Sequence, residues 1–161
     1  MPGRSESAAG PPPSLVFLLS KLGFAASQGF AASLQPLDLE PRHFALLNYI
    51  ALAEGQSQQQ LGAALDIPAS RMVAVVDELE DRGVVERRAN PTDRRARALY
   101  LSASGKALLA KARAAARANE NRFCASLAPD VRDQLIELLT PLADAHGVAF
   151  SPHPELTRHV S

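Results

Sequence analysis

Residues 84–101 read VVERRANPTDRRARALYL, and the pattern within them decides the fold. Val84 and Val85 open an extended run, Ala89-Asn90-Pro91-Thr92-Asp93 supplies turn residues, and Arg97, Leu99 and Leu101 then alternate with small or aromatic side chains. Two such runs joined by a turn form a two-stranded hairpin. Six arginines against Glu86 and Asp93 give residues 82–97 a local charge of +4 within 16 residues. The whole chain balances 17 basic against 17 acidic residues, so everything outside this segment sums to −4. A neutral average therefore conceals a basic hairpin, the kind of footprint left by a nucleic-acid partner.

Working outward, Met72, Val75, Val76 and Leu79 recur at i, i+3, i+4, i+7 and predict a helix after the tight break at Asp66-Ile67-Pro68. Gly83 ends it. Before the break, Ser57-Gln58-Gln59-Gln60 has the S-x-x-Q spacing of a capping box and starts a short helix reaching about Leu65. Leu39-Glu40-Pro41 opens an earlier helix with Phe44, Leu47, Ile50 and Ala51 as its buried stripe, stopped by Gly55. The first helix carries Leu15, Leu18, Leu19, Leu22, Ala26 and Phe30 on one side and Val16, Phe17 and Phe24 on the other, so it needs two partners. After the hairpin, Ser102 caps an alanine-rich helix through Phe123. A last helix from Pro129 carries Val131, Leu135, Leu138, Leu139 and Leu142, with Pro141 expected to kink or end it.

A chain of 161 residues, 47% hydrophobic, fits one domain. The order helix, short helix, break, helix, hairpin is that of a winged helix-turn-helix, in which the helix after the break enters the major groove and the hairpin follows the backbone toward the minor groove. The residues that specify this order also resemble a known family. Leu79-Glu80-Asp81-Arg82-Gly83-Val84-Val85, then Arg88 through Asp93 to Ala96, then Leu99 to Gly105, are similar to three ordered signatures of the multiple-antibiotic-resistance regulator (MarR) family, with the likeness extending over roughly Leu15 to Leu142. The resemblance implies a mainly α fold with a small β-hairpin (α+β), a winged helix-turn-helix joined to a helical dimerisation region. Residues 1–13 are expected as a disordered arm and 14–147 as a single domain. Within it, 14–34 and 102–147 are dimerisation helices and 39–101 the winged unit, with 148–161 a loose tail.

Carried across residue by residue, the resemblance makes Arg95 the wing arginine that enters the minor groove and Asp93 the aspartate that fixes its geometry, with Arg94, Arg88 and Arg97 on phosphates. A guanidinium suits a narrow minor groove because negative potential concentrates there. On the recognition helix, Ala69, Ser70, Arg71, Val73, Ala74 and Asp77 turn away from the apolar stripe, and Arg71 is the first choice for a guanine edge. Family members often carry threonine and arginine where this chain has Val73 and Ala74; these either pack on thymine methyls or stand as neutral exposed positions. Ser57 and Gln58 either donate to phosphate or simply cap their helix.

The resemblance further implies a homodimer on an inverted-repeat operator in double-stranded DNA, a repressor released by a small aromatic or phenolic ligand. Phe17, Lys21, Phe24 and Gln28 follow i, i+4, i+7, i+11 and could hold an aromatic acid, or belong to the dimer core with Lys21 at its rim. His43 either lines that cleft or is a packed, hydrogen-bonded histidine. The alternatives are a redox response through Cys124, although a lone helical cysteine is more often a small packing residue, and a DNA-binding protein with no effector. His43, His146, His153 and His159 are too scattered for a metal site, no cofactor motif is present, and no paired carboxylates or nucleophile-base set suggest an enzyme. The lone cysteine suits a cytoplasmic protein. Arg4 and the apolar residues from Leu15 make only a weak match to a signal peptide, because Lys21 interrupts the run and Leu15–Leu19 is too short; no membrane partner is expected.

Replacing the wing arginine, Arg95→Ala, should weaken binding to every duplex tested and flatten the dependence of log Kd on log salt by about one unit. Unchanged affinity in a salt titration would refute the wing assignment.

Overall fold

Ser14 accepts the Phe17 N–H at 3.2 Å and so caps α1, Leu15–Leu34. The structure is a computed structural model that describes residues 14–65, 67–90 and 97–148. A 3-10 turn, Gln35–Leu37, leads to α2, Pro41–Leu52, followed by α3, Gln58–Ala64, and α4, Ala69–Asp81. Strands β1, Val85–Ala89, and β2, Arg97–Leu101, form the hairpin, and α5, Ala103–Phe123, and α6, Pro129–Ala145, complete the order. The expected α+β fold is therefore present, with the caps at Ser57 and Ser102 where the sequence signals placed them. The arm at 1–13 and nearly all of the tail expected at 148–161 lie outside the described residues.

The core lies where α2, α3, α4 and the hairpin converge. Leu46, Leu47 and Ile50 of α2 meet Leu61, Met72, Val76 and Leu79, and Leu99 and Leu101 close the hairpin side. Each such side chain, removed from water, contributes about 2 kcal/mol. The stripe expected on α2 is shifted by part of a turn: Leu46 and His43 are buried, whereas Phe44 and Ala51 are only partly so. Phe44 instead meets Phe30 of α1 edge to face, with ring centroids 5.3 Å apart.

The hairpin is antiparallel, with Val85 opposite Leu101, Arg87 opposite Leu99 and Ala89 opposite Arg97. Gly55 to Ser57 adds an outer segment along β2: Gly55 N–H donates to Leu99 O at 3.0 Å, Leu99 N–H donates to Gln56 O at 2.9 Å, and Ser57 bridges Ala98. Pro141 does not end α6, which continues to Ala145. A single proline removes only one ladder bond, and the exposed helix accommodates it; beside it the Thr140 hydroxyl donates to Ile136 O at 2.7 Å. The segment Leu15–Leu37 is long and apolar enough by composition to cross a bilayer, although its last part, at Phe30 and Leu34, packs into the protein core.

The wing, the recognition helix and α5 meet at one point. Gly83, at φ +66°, ends α4 in a left-handed conformation, and Val84 N–H donates back to Leu79 O at 2.9 Å. Ser102 N–H donates to Val84 O at 3.1 Å, its hydroxyl donates to Gly83 O at 2.6 Å, and that same hydroxyl oxygen accepts the Gly105 N–H at 2.9 Å. Ser104 donates to Gly83 O at 2.8 Å. The approach is so close that a Cβ on Gly105 would stand 2.0 Å from Val84 O. Gly105→Ala should therefore destabilise the protein by on the order of 3 kcal/mol, since backbone rather than a flexible side chain must yield. A thermal melt within a degree of the parent would show that this junction is looser than its geometry.

Candidate nucleic-acid interface

Ser57 and Gln60 cap α3 reciprocally: Ser57 Oγ accepts the Gln60 N–H at 3.1 Å, and Gln60 Oε1 accepts the Ser57 N–H at 2.8 Å. The serine hydroxyl keeps its own hydrogen to donate. Gln58 turns its Oε1 to the Arg87 guanidinium, accepting from Nη2 at 3.1 Å.

On α4, the buried stripe of Met72, Val75, Val76 and Leu79 leaves Ala69, Ser70, Val73, Ala74 and Asp77 exposed and Arg71 partly buried. The first turn carries no acidic residue. The carboxylates gather toward the other end, at Asp77, Glu78, Glu80 and Asp81. Arg87 of β1 gathers two of them: Nη1 donates to Glu80 Oε2, Nη2 to Asp77 Oδ1, and its backbone N–H to Glu80 Oε1 at 3.3 Å. Burial lowers the guanidinium pKa, but the hydrogen bonds and charges of Asp77 and Glu80 outweigh it and hold the group above its usual value. One arginine thus ties α3, α4 and β1 together.

Sequence reading placed Arg88 and not Arg87 among the functional arginines. The signal that distinguishes them is the period of two: Arg87 shares a face with Val85 and lies opposite Leu99, so it points inward, whereas Arg88 points out. Arg88 donates to Glu86 through Nε at 3.0 Å and Nη2 at 2.7 Å, and its Cζ lies 4.8 Å from the centre of the Tyr100 ring. The hydrogen bond to Glu86 is the main cause of its raised pKa. Arg97 is exposed at the start of β2, and Asp93, Arg94 and Arg95 lie outside the described residues.

His43 is buried, 2% exposed, with Nδ1 accepting the Glu40 N–H at 3.1 Å and Nε2 3.1 Å from Glu78 Oε2. With Nδ1 accepting, the ring hydrogen sits on Nε2 and is donated to Glu78, so this histidine links the start of α2 to α4. Arg42 adds to the same carboxylate at 3.7 Å. On α1, Lys21 Nζ lies 5.6 Å from the Phe17 ring centre, and Phe24 and Gln28 are exposed. An apolar cavity of about 510 Å³ lies between α1, the end of α5 and α6, walled by Leu22, Ala26, Phe123, Ile136 and Leu139, with Cys124 at its edge. Phe17, Lys21, Phe24, Gln28 and His43 are not among its lining residues.

The Arg87 cluster makes a measurable claim. Arg87→Met should cost about 2 kcal/mol, less than a fully buried pair because the side chain is 19% exposed, while Arg88→Met should leave the melt close to that of the parent. Denaturant melts of both variants check this, and equal small losses would remove the special role given to Arg87.

Comparison with known proteins fits this geometry. The MarR family model matches residues 37–96. A putative transcriptional regulatory protein for the hcr operon of Thauera aromatica is 34% identical over 129 residues, covering 80% of this chain and 78% of that protein. The transcriptional repressor CouR of Rhodococcus jostii RHA1, solved on a 23-mer DNA duplex, is 30% identical with a TM-score of 0.71, covering 81% of this chain and 92% of CouR. It has also been solved with p-coumaroyl-CoA. A MarR family protein of Mycobacterium tuberculosis in complex with DNA is 27% identical with a TM-score of 0.68, covering 81% of this chain and 98% of that one, and it has been solved with salicylic acid as well. With one-third identity sustained over four-fifths of its length and the winged helix-turn-helix in place, the chain belongs to the MarR family of transcriptional regulators.

Proposed function

We propose that this chain is a homodimeric cytoplasmic repressor that binds an inverted-repeat operator in double-stranded DNA and is released by a small aromatic acid. The observation that carries the reading is the pair of apolar faces outside the winged unit. Phe17, Leu22 and Phe24 on α1 are 54%, 52% and 68% exposed, and Ile136 and Leu138 on α6 are 54% and 73% exposed. Large side chains exposed together on neighbouring helices, beside an apolar cavity, call for burial against a second copy. A two-fold pair then offers two α4 helices to two half-sites.

In this reading Arg71 contacts a guanine edge, Ser57 and Gln58 lie along the phosphates with Arg88, Arg94 and Arg97, and Arg95 enters the minor groove. Repression is supported by CouR, described as a transcriptional repressor. The aromatic class is supported by the salicylic acid and p-coumaroyl-CoA complexes of the two relatives.

Sedimentation velocity at micromolar concentration should give a dimer, and a stable monomer would overturn the proposal. On an operator selected from random duplexes, Arg71→Ala should relax preference at one position of each half-site by about tenfold while leaving non-specific binding intact. A uniform loss across sequences would make Arg71 a phosphate contact instead.

A further inference from the structure

We propose that Val73 is a specificity-determining residue that reads the 5-methyl group of a thymine in the major groove. This rests on α4 being the DNA-reading helix, and it names what that helix reads.

Consider which outward groups near α4 remain available to a base. Asp77 is held by Arg87, and Gln58, at the start of α3, is turned to the same guanidinium. Glu78 is held by His43 and Arg42, and Glu80 by Arg87. Three of the four carboxylates in the second half of α4 are therefore engaged in contacts within the chain, as is the Gln58 oxygen. Toward its start, the exposed face is Ala69, Ser70, Val73 and Ala74, in which Val73, 43% exposed, is the large apolar member. A β-branched side chain in a helix holds one χ1 rotamer, so Val73 presents its methyls with little further loss of entropy on contact.

Beside it lies a shallow groove of about 560 Å³ between α3 and α4, walled by Ala63, Ala69, Met72 and Val73, with Gln58 and Gln59 on its α3 side. Ala63 and Ala69 are exposed and have no side chain beyond Cβ, so a base edge can approach the backbone closely beside Val73. The one apolar group that any base pair shows in the major groove is the thymine methyl. A cytosine in the same place shows only a hydrogen at C5 and fills the groove less. The exposed apolar surface of α4 at Val73, beside that groove, points to the methyl.

The test uses the full-length protein and an operator selected from random duplex DNA. Each thymine is replaced in turn by deoxyuridine, which removes the methyl and leaves all hydrogen bonding intact. At one position per half-site the parent should lose roughly fourfold in affinity for each methyl removed. Val73→Ala, an exposed helical position where alanine is favoured, should bind thymine and uracil duplexes equally at that position. Selective binding that tolerates uracil everywhere overturns this inference and leaves the regulator reading standing. So does a uracil penalty that persists in Val73→Ala. Failure to select any duplex overturns the regulator reading and this inference with it.

Discussion

The first turn of α5 lies against the Val84 carbonyl so closely that only glycine fits at 105, and the rest of the molecule is arranged around that contact. Three elements end or begin there: α4 at Gly83, the hairpin at Val85 and Leu101, and α5 at Ser102. The serine hydroxyls at 102 and 104 satisfy Gly83 O, which the end of α4 would otherwise leave without a partner. Each of these bonds contributes about 1 kcal/mol net. The steric and polar requirements coincide, so the wing cannot tilt relative to α5 without losing both.

The second constraint is electrostatic. A recognition helix with four carboxylates at its far end is a poor surface for a polyanion. At 4 Å, like charges repel by about 1 kcal/mol in water and about 4 kcal/mol near a protein surface. Arg87, Arg42 and His43 draw three of the four into contacts within the chain. Part of the hairpin's excess charge is consequently spent internally: Arg82 faces Asp38 at 3.6 Å, Arg87 faces Asp77 and Glu80, and Arg88 faces Glu86. The outward field of these arginines is smaller than their count suggests.

This separates what the sequence discloses from what it conceals. The stripe at Met72, Val75, Val76 and Leu79, the Ser57–Gln60 box and the cap at Ser102 are local patterns, and local patterns report burial and helix ends directly. Arg87 with Asp77, Arg87 with Gln58, and His43 with Glu78 join residues 10, 29 and 35 positions apart, and no periodicity encodes such pairs. Alternation along β1 could have turned Arg87 inward, but it does not name the partner. The pairing of Gly55 to Ser57 with β2 was hidden for the same reason, since three residues are too few to show a strand period. Glycine at 105 is legible as a signature, yet its cause, a carbonyl 21 residues earlier, is visible only in three dimensions.

Those two constraints together determine how a signal would travel in the proposed dimer. If α1, α5 and α6 join the copies, the Gly105 contact makes each winged unit follow its own α5 as a rigid body, and Arg87 makes α4 follow the wing. A ligand seated beside α1 then has no soft joint at which its effect could dissipate. It changes the separation of the two α4 helices, and half-sites one helical turn apart, about 34 Å, accept only one separation. A coupling of about 1–3 kcal/mol between the sites, corresponding to roughly 5- to 150-fold in affinity, needs only a small difference in how the ligand fits the two arrangements. In the proposed dimer, rigidity at the junction would let a small ligand act on a long interface.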